Sequence, residues 1–162
     1  MLERESAINK FQLGVFSLVV KDIASENLYT AGSGHGHSPI WLLGHLAICA
    51  EIGQGMLGGA IEHDSWLPIF GAGSSGQVER DASFSKDGFV DATITGYEKL
   101  QALAMDPAAG SLLELDHGFA PFANTPISNV GDFVGLLLTN HFGFHLAQLS
   151  SCRRERGHSY LF

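Results

Sequence analysis

The chain has 162 residues, 45% of them hydrophobic, and a formal net charge of -8 at pH 7. This length predicts a single domain spanning residues 1–162, and the hydrophobic content excludes a disordered chain. The negative net charge argues against a nucleic-acid partner, because binding to phosphates needs a concentrated basic face on the protein. Acidic and basic residues are mixed at the amino terminus and no apolar stretch approaches the roughly 20 residues that cross a bilayer, so we expect a cytoplasmic protein without a membrane segment.

A first helix is predicted from about Glu5 to Tyr29. Apolar residues recur along it at mostly three- and four-residue intervals, the spacing of one face of an α-helix. These residues are Ile8, Phe11, Val15, Leu18, Val19 and Ile23. The glycines of the AGSGHGHSP segment, which begins at Ala31, then predict a flexible turn.

A second helix is predicted to begin at Pro39, with Ser38 as its N-cap. Serine caps the free amide groups of a first helical turn, and proline is favoured at the first helical position. One stripe of this helix carries Trp41, His45, Ile48, Ile52 and Met56. Two glycines, Gly58 and Gly59, end the helix.

A long surface connection, residues 60–84, follows, because it contains Pro68 and the glycine-serine run GAGSSG. Connections of this length within a compact domain are usually functional or mobile. A third helix is predicted from the N-cap Ser85 to the Asp106-Pro107 pair. A fourth helix is predicted from about Ser128 to Arg156, with Gly157 as its stop.

No stretch shows the alternation of polar and apolar residues that is typical of strands. Four helices of about 20 to 28 residues suggest a helical bundle. We therefore predict an all-α fold, a four-helix bundle with a long connection between helices 2 and 3.

Two histidines, His141 and His145, lie four residues apart on the predicted fourth helix. Residues at this spacing project from the same helix face, so the two imidazoles can bind one metal ion. Apolar neighbours place that face in the bundle interior, where two adjacent imidazoles need several polar partners. They are either ordinary core histidines or part of a metal site.

A third histidine, His45, lies on the apolar stripe of the second helix and can meet the pair across the bundle. Three neutral nitrogen ligands with an open position for water or substrate suit a catalytic zinc or nickel ion. The H-E-x-x-H motif of zinc peptidases is absent, because the residues between the pair are FGF. A di-iron carboxylate bundle is also disfavoured, since the single Glu-x-x-His instance lies in a connection.

The remaining histidines fall in predicted connections or the tail, and we expect them to be exposed rather than ligating. They are His35, His37, His63, His117 and His158.

The two cysteines, Cys49 and Cys152, follow the candidate ligands at helical spacing. Each is either a softer ligand or redox partner, or a small buried residue of the core, and we favour the second interpretation. No catalytic residue is assigned. Glu51, Asp116 and Asp132 are candidates for a general base by their position in the chain, although each suits a solvated carboxylate.

The segments SPIWLLGHLA and NHFGFHLAQLSSCRRERG together resemble the DinB-like superfamily. The shared pattern is W-x-x-x-H on the second helix, then H-x-x-x-H, a glutamine and an arginine-containing helix end on the last. In this chain the pattern falls on Trp41 and His45, on His141 and His145, and on Gln148. The resemblance extends over the whole length, but Ala147 replaces a glycine that many relatives have before the glutamine.

Membership would imply a divalent metal ion, nickel or zinc, held by His45, His141 and His145, with Gln148 in a supporting role. It would also imply a homodimer and, in some relatives, a transferase or isomerase that uses a low-molecular-weight thiol such as mycothiol, bacillithiol or glutathione. The substrate would then be a small molecule. The alternative is a non-catalytic metal-binding dimer with a structural or stress-related role, which a fourth protein ligand such as Cys49 would favour.

Overall fold

The computed structural model describes residues 1–81 and 83–161, and every regular element within those ranges is a helix. The α-helices are α1 (Glu3–Lys21), α2 (Pro39–Met56), α3 (Leu67–Phe70), α4 (Lys86–Met105), α5 (Gly110–Leu113), α6 (Val130–Leu136) and α7 (Phe142–Arg154). A π-helical turn, Leu137–His141, joins α6 to α7. The prediction of an all-α fold is confirmed. Among the described residues, none of the helices combines the length and the hydrophobicity that a bilayer-spanning segment requires.

The core lies between four longer helical segments, which are α1, α2, α4 and the segment formed by α6 and α7. Helix α2 lies chiefly against α4 and also contacts α7, while α1 lies against both α4 and α7. Nearly every side chain of α2 is buried, not only the predicted stripe. The predicted cap of α4 is confirmed, because Ser85 Oγ accepts a hydrogen bond from the Gly88 amide at 3.0 Å.

The first helix is shorter than predicted. It ends at Lys21, well before Tyr29, and Ala24 has an extended backbone with φ -70° and ψ 148°. A 3₁₀ turn, Ser25–Asn27, follows. Asp22, the residue after the helix, accepts a hydrogen bond from Arg153 Nε of the last helix through its carboxylate at 2.6 Å.

The buried face of α1 also differs from the prediction. Three of the predicted core residues are largely exposed, namely Ile8 at 48%, Phe11 at 68% and Leu18 at 50%. Val19 of the predicted set is buried, and the other buried residues of the helix are Ser6, Asn9, Leu13, Phe16 and Val20. Asn9 is fully buried although its side chain is polar, because it donates a hydrogen bond to the Leu138 carbonyl.

The π-helical turn needs donors from outside its own helix, and α1 supplies them. Asn9 Nδ2 donates to the Leu138 carbonyl at 2.8 Å, and Gln12 Nε2 donates to the Thr139 carbonyl at 3.2 Å. Widening a helix to the π form interrupts the regular hydrogen bonds, and such turns are frequent at functional sites. The predicted continuous fourth helix is therefore interrupted by a π-helical turn whose last residue is His141.

The start of that helical segment is also displaced slightly. The helix was predicted to start near Ser128, and α6 begins at Val130 with Asn129 as its cap, because Asn129 Oδ1 accepts from the Asp132 amide at 2.8 Å. The segment ends at Arg154, and Gly157 beyond it has a φ of 88°, which favours glycine.

The predicted surface connection between the second and third long helices contains a buried anchor. A 3₁₀ turn, Asp64–Trp66, leads into α3, and Phe70 at its end is fully buried. Its ring packs against Gly44 of α2, where a Cβ atom would lie 2.5 Å from Phe70 Cδ1. Ala82, within the predicted connection, lies outside the described residues. The connection therefore packs against α2 at Gly44, the residue next to His45.

Candidate metal centre

Three histidines meet between α2 and the last helical segment. His45 comes from α2, His141 from the π-helical turn and His145 from α7, and one ring nitrogen of each lies within 4.8 Å of the others. His45 and His145 are only 4% and 6% exposed, and His141 is partly buried. The predicted proximity of these side chains is confirmed, and they are close enough to hold a metal ion.

A backbone carbonyl sets the orientation of His45. Its Nδ1 donates to the Phe70 carbonyl at 2.6 Å, so its Nε2 keeps a free electron pair. That Nε2 lies 3.2 Å from Nε2 of His141. A ring nitrogen held by a carbonyl is the usual support of a metal-binding histidine, because it fixes both tautomer and direction.

A side-chain amide orients His145 in the same way. Gln148, one helical turn further along α7, accepts from His145 Nδ1 through Oε1 at 2.7 Å. The second nitrogen of His145 is left free to bind. Gln148 therefore has the supporting contact that the resemblance implies for it.

The third ring, His141, has a buried nitrogen without a partner. Among the described residues, its Nδ1 is one of the few buried side-chain atoms with no hydrogen bond. Its Nε2 faces His45 at 3.2 Å, and two nitrogens bound to one tetrahedral zinc ion lie about 3.3 Å apart, given bonds of about 2.0–2.1 Å. The donor set and this spacing fit a divalent cation.

Burial keeps the three imidazoles in the neutral form that binds metal. Burial, followed by the neighbouring His145 and His45, lowers the pKa of His141 to about 3. Burial, followed by His45, lowers the pKa of His145 to about 4, although the Gln148 contact opposes the shift. Burial also lowers the pKa of His45. At neutral pH no proton has to leave these rings before a cation binds.

Replacing Gln148 with alanine is expected to weaken zinc binding by about 10- to 100-fold, the usual cost of losing an outer partner of a metal-binding histidine. His145 would lose the acceptor that fixes its tautomer. Competition with a chromophoric chelator measures the change. The Gln148→Glu variant keeps an acceptor and serves as the matched control, so equal affinity in wild type and Gln148→Ala would contradict the assigned contact.

An aromatic stack leads from the surface to the candidate centre. Trp41 lies parallel to His45, with ring centroids 4.5 Å apart, and His37 covers the other face of Trp41 at 4.1 Å. Trp41 Nε1 donates to Ser74 Oγ in the GAGSSG run at 3.0 Å. The GAGSSG run, which was predicted to lie in a surface loop, therefore holds Trp41 against the candidate ligand His45.

The other histidines are outside the convergent set, as predicted, but His158 alone among them is exposed, and the other four are partly buried. Two of the partly buried rings pair with side chains: His35 Nε2 lies 3.7 Å from Cys152 Sγ, and His63 Nδ1 lies 2.5 Å from a Glu51 oxygen. His117 Nε2 donates to the Ile127 carbonyl, and its Nδ1 accepts from the Phe119 amide.

The candidate general bases have other contacts. The Glu51 carboxylate is buried rather than solvated, because it accepts from the Glu62 and His63 amides and pairs with the His63 ring. Asp116 accepts from the Gly118 amide, and Asp132 accepts from Ser128. These contacts are local to connections and helix ends.

Both cysteines are free and buried. Cys49 packs with Phe133 and Leu137 in a small apolar cluster, and burial raises its pKa to about 12. Burial raises the pKa of Cys152 to about 11, with Glu155 adding to the shift. The expectation that both are small buried residues agrees with their exposure.

Two supports of the candidate centre were not identified from the sequence. The Phe70 carbonyl is a backbone group that comes from the predicted surface connection, and the π-helical turn depends on α1 amides far away in the chain. Among the groups that hold the ligand rings, the sequence pattern indicates only Gln148.

Compared with protein-family models, with curated proteins and with solved structures, the chain matches none of them.

Proposed function

We propose that this protein binds one divalent metal ion, zinc or nickel, through His45, His141 and His145. The observation that carries the proposal is the convergence of three buried or partly buried imidazoles, two of them held by acceptors that leave the other nitrogen free. The Nε2 atoms of His45 and His141 face each other at 3.2 Å, a spacing at which one cation can be bound by both.

We also propose that the chain is a four-helix bundle of the DinB-like type. The contacts of α1 and α2 with both α4 and α7 support four segments around one core. The positions of Trp41, His45, His141, His145 and Gln148 support the resemblance, because all five contribute to one cluster of contacts.

The activity we propose is that of a thiol S-transferase or isomerase that uses a low-molecular-weight thiol and a small-molecule electrophile. A bound divalent cation would lower the pKa of the thiol and so favour the nucleophilic thiolate at neutral pH. Phe70 and Gln148 would hold the ligand rings in place, and Trp41 would restrict solvent access to His45.

The test uses protein purified without an affinity tag. Elemental analysis is expected to find about one divalent metal per chain, lost on chelation and restored by zinc or nickel. Consumption of a model electrophile by glutathione, bacillithiol or mycothiol is then compared between loaded and chelated protein. No metal uptake would contradict the binding proposal, whereas uptake without thiol-dependent turnover by any of the three would contradict only the transferase proposal.

A second candidate, a metal-binding bundle without catalysis, is favoured by the closure of the centre. His45 and His145 are almost fully buried, and the Phe70 carbonyl at the end of α3 accepts a hydrogen bond from His45. A buried thiol, Cys49, also lies against two of the rings. A structural or stress-related role would need no vacant position on the metal.

We further propose that the protein is a homodimer. Ile8, Phe11 and Leu18 are exposed at the three- and seven-residue spacing of one α1 stripe, which supports an apolar contact with a second copy. Light scattering on wild type is expected to give twice the chain mass of 17.3 kDa. Phe11→Glu should shift the mass to that of one chain, whereas Leu115→Glu, at another exposed apolar position, should not. A monomeric wild type would contradict the proposal.

A further inference from the structure

Cys49 is a buried thiol that lies against two of the three histidines. It follows His45 by one helical turn on α2, so the two side chains share a face. Its Sγ lies 3.5 Å from Nε2 of His45 and 3.9 Å from Nε2 of His141. The side chain is only 6% exposed. The sulfur therefore faces the two nitrogens that also face each other.

These three distances are close to those between donors bound to one tetrahedral ion. Metal bonds of about 2.3 Å to sulfur and about 2.0–2.1 Å to nitrogen place neighbouring sulfur and nitrogen donors about 3.6 Å apart, and neighbouring nitrogens about 3.3 Å apart. The observed separations are 3.5 and 3.9 Å for sulfur to nitrogen and 3.2 Å for nitrogen to nitrogen. One cation can thus contact all three atoms with small side-chain adjustments.

The surroundings of the thiol offer it no comparable polar partner. Its polar contacts within the described residues are with the imidazoles of His45 and His141, and it shares an apolar cluster with Phe133 and Leu137. A thiol is a weak donor and acceptor, so these contacts alone add little stability. A sulfur beside a convergent imidazole cluster is, by contrast, a strong ligand for a borderline-soft cation.

We propose that Cys49 is a fourth protein ligand, so that the centre binds its metal through three imidazole nitrogens and one sulfur. This inference rests on the proposed metal binding. On binding, the thiol releases its proton to solvent and the sulfur supplies an electron pair, with no change of oxidation state. His145, which is outside the sulfur's direct contacts, completes the set from α7.

The donor set narrows the choice of metal. Tetrahedral sites of nitrogen and sulfur are typical of zinc, whereas nickel(II) favours planar or higher-coordinate arrangements. An external thiol would have to displace Cys49 or enter as a fifth donor. Cys49 therefore decides whether the position next to His45 and His141 is open to a cosubstrate.

Cobalt(II) in place of zinc gives separate signals for metal binding and for sulfur ligation. Visible d–d absorption reports a bound cobalt ion, and near-ultraviolet charge-transfer absorption appears only when a thiolate is among its ligands. Wild type is expected to show both bands. Cys49→Ser should keep the visible band and lose the charge-transfer band, and its zinc affinity should fall by more than about 10-fold. The Cys152→Ser variant, which removes the other buried thiol, should match wild type.

The outcomes separate the two proposals. Visible absorption without a charge-transfer band in wild type would overturn Cys49 as a ligand and leave the three-histidine site standing. A charge-transfer band lost in Cys152→Ser but kept in Cys49→Ser would overturn it as well. No cobalt absorption in wild type would overturn the metal binding on which the inference rests. Circular dichroism of each variant confirms that it is folded, and X-ray absorption of the zinc form checks for a sulfur neighbour.

Discussion

The His141→Ala variant is expected to lose its metal, with a fall in zinc affinity of more than about 100-fold, the upper end of the cost of losing an outer-shell partner. His141 supplies the nitrogen that lies 3.2 Å from Nε2 of His45. Without the His141 side chain, only two of the three proposed nitrogen ligands remain. Elemental analysis of protein purified without a tag should fall from about one metal per chain to a small fraction. Chelator competition gives the affinity.

The matched control for this experiment is His158→Ala, which removes an exposed histidine outside the convergent set. Its metal content should equal that of wild type. Thermal unfolding separates loss of metal from loss of fold, because added zinc should stabilise wild type and His158→Ala but not His141→Ala. Full zinc retention by His141→Ala would show that the three-histidine assignment is wrong.

Gly44→Ala is expected to damage both the fold and the candidate centre. A Cβ atom at this position would lie 2.5 to 2.7 Å from three atoms of the fully buried Phe70 ring. Overpacking of this kind costs about 1–3 kcal/mol in the free energy of unfolding. Displacing Phe70 also moves the carbonyl that holds His45 Nδ1, so zinc affinity should fall together with stability.

Urea unfolding of the metal-free protein and chelator competition measure the two effects of Gly44→Ala. The matched control is Gly14→Ala, because a Cβ at Gly14 of α1 meets no other atom within 4 Å. That variant should be as stable as wild type or more stable, by up to about 1 kcal/mol, since alanine is the better helix former. Equal stability of the two variants would contradict the close packing of Phe70 on Gly44.

Local signals predicted much of this structure. Ser85 acts as the cap that its position before an apolar-periodic stretch suggested, and Pro39 begins α2. Helical spacing placed His141 and His145 on one face, and the apolar stripe of α2 placed His45 toward them. These features depend on residues within a few positions of one another, which is the range over which helix geometry and capping operate.

Tertiary contacts account for what the sequence did not predict. Periodicity on α1 favoured the face of Phe11 and Leu18, because hydropathy alone ranks those residues above Asn9. Asn9 is buried since the Leu138 carbonyl requires a donor, and that requirement exists only once the π-helical turn has formed. The hydrogen bond from His45 to the Phe70 carbonyl could not be predicted either, because every residue has a backbone carbonyl and the sequence does not indicate which one a side chain contacts.

The α1 amides that hold the π-helical turn have a consequence for the order of events during synthesis. Asn9 and Leu138 are 129 positions apart, and His45 and His141 are 96 apart. Contacts of such separation form late, because closing long loops costs entropy before any contact is gained. A nascent chain therefore has neither the Asn9 contact with Leu138 nor the facing histidines until the helix that carries His141 has left the ribosome, so the proposed cation site is completed only after that helix is made.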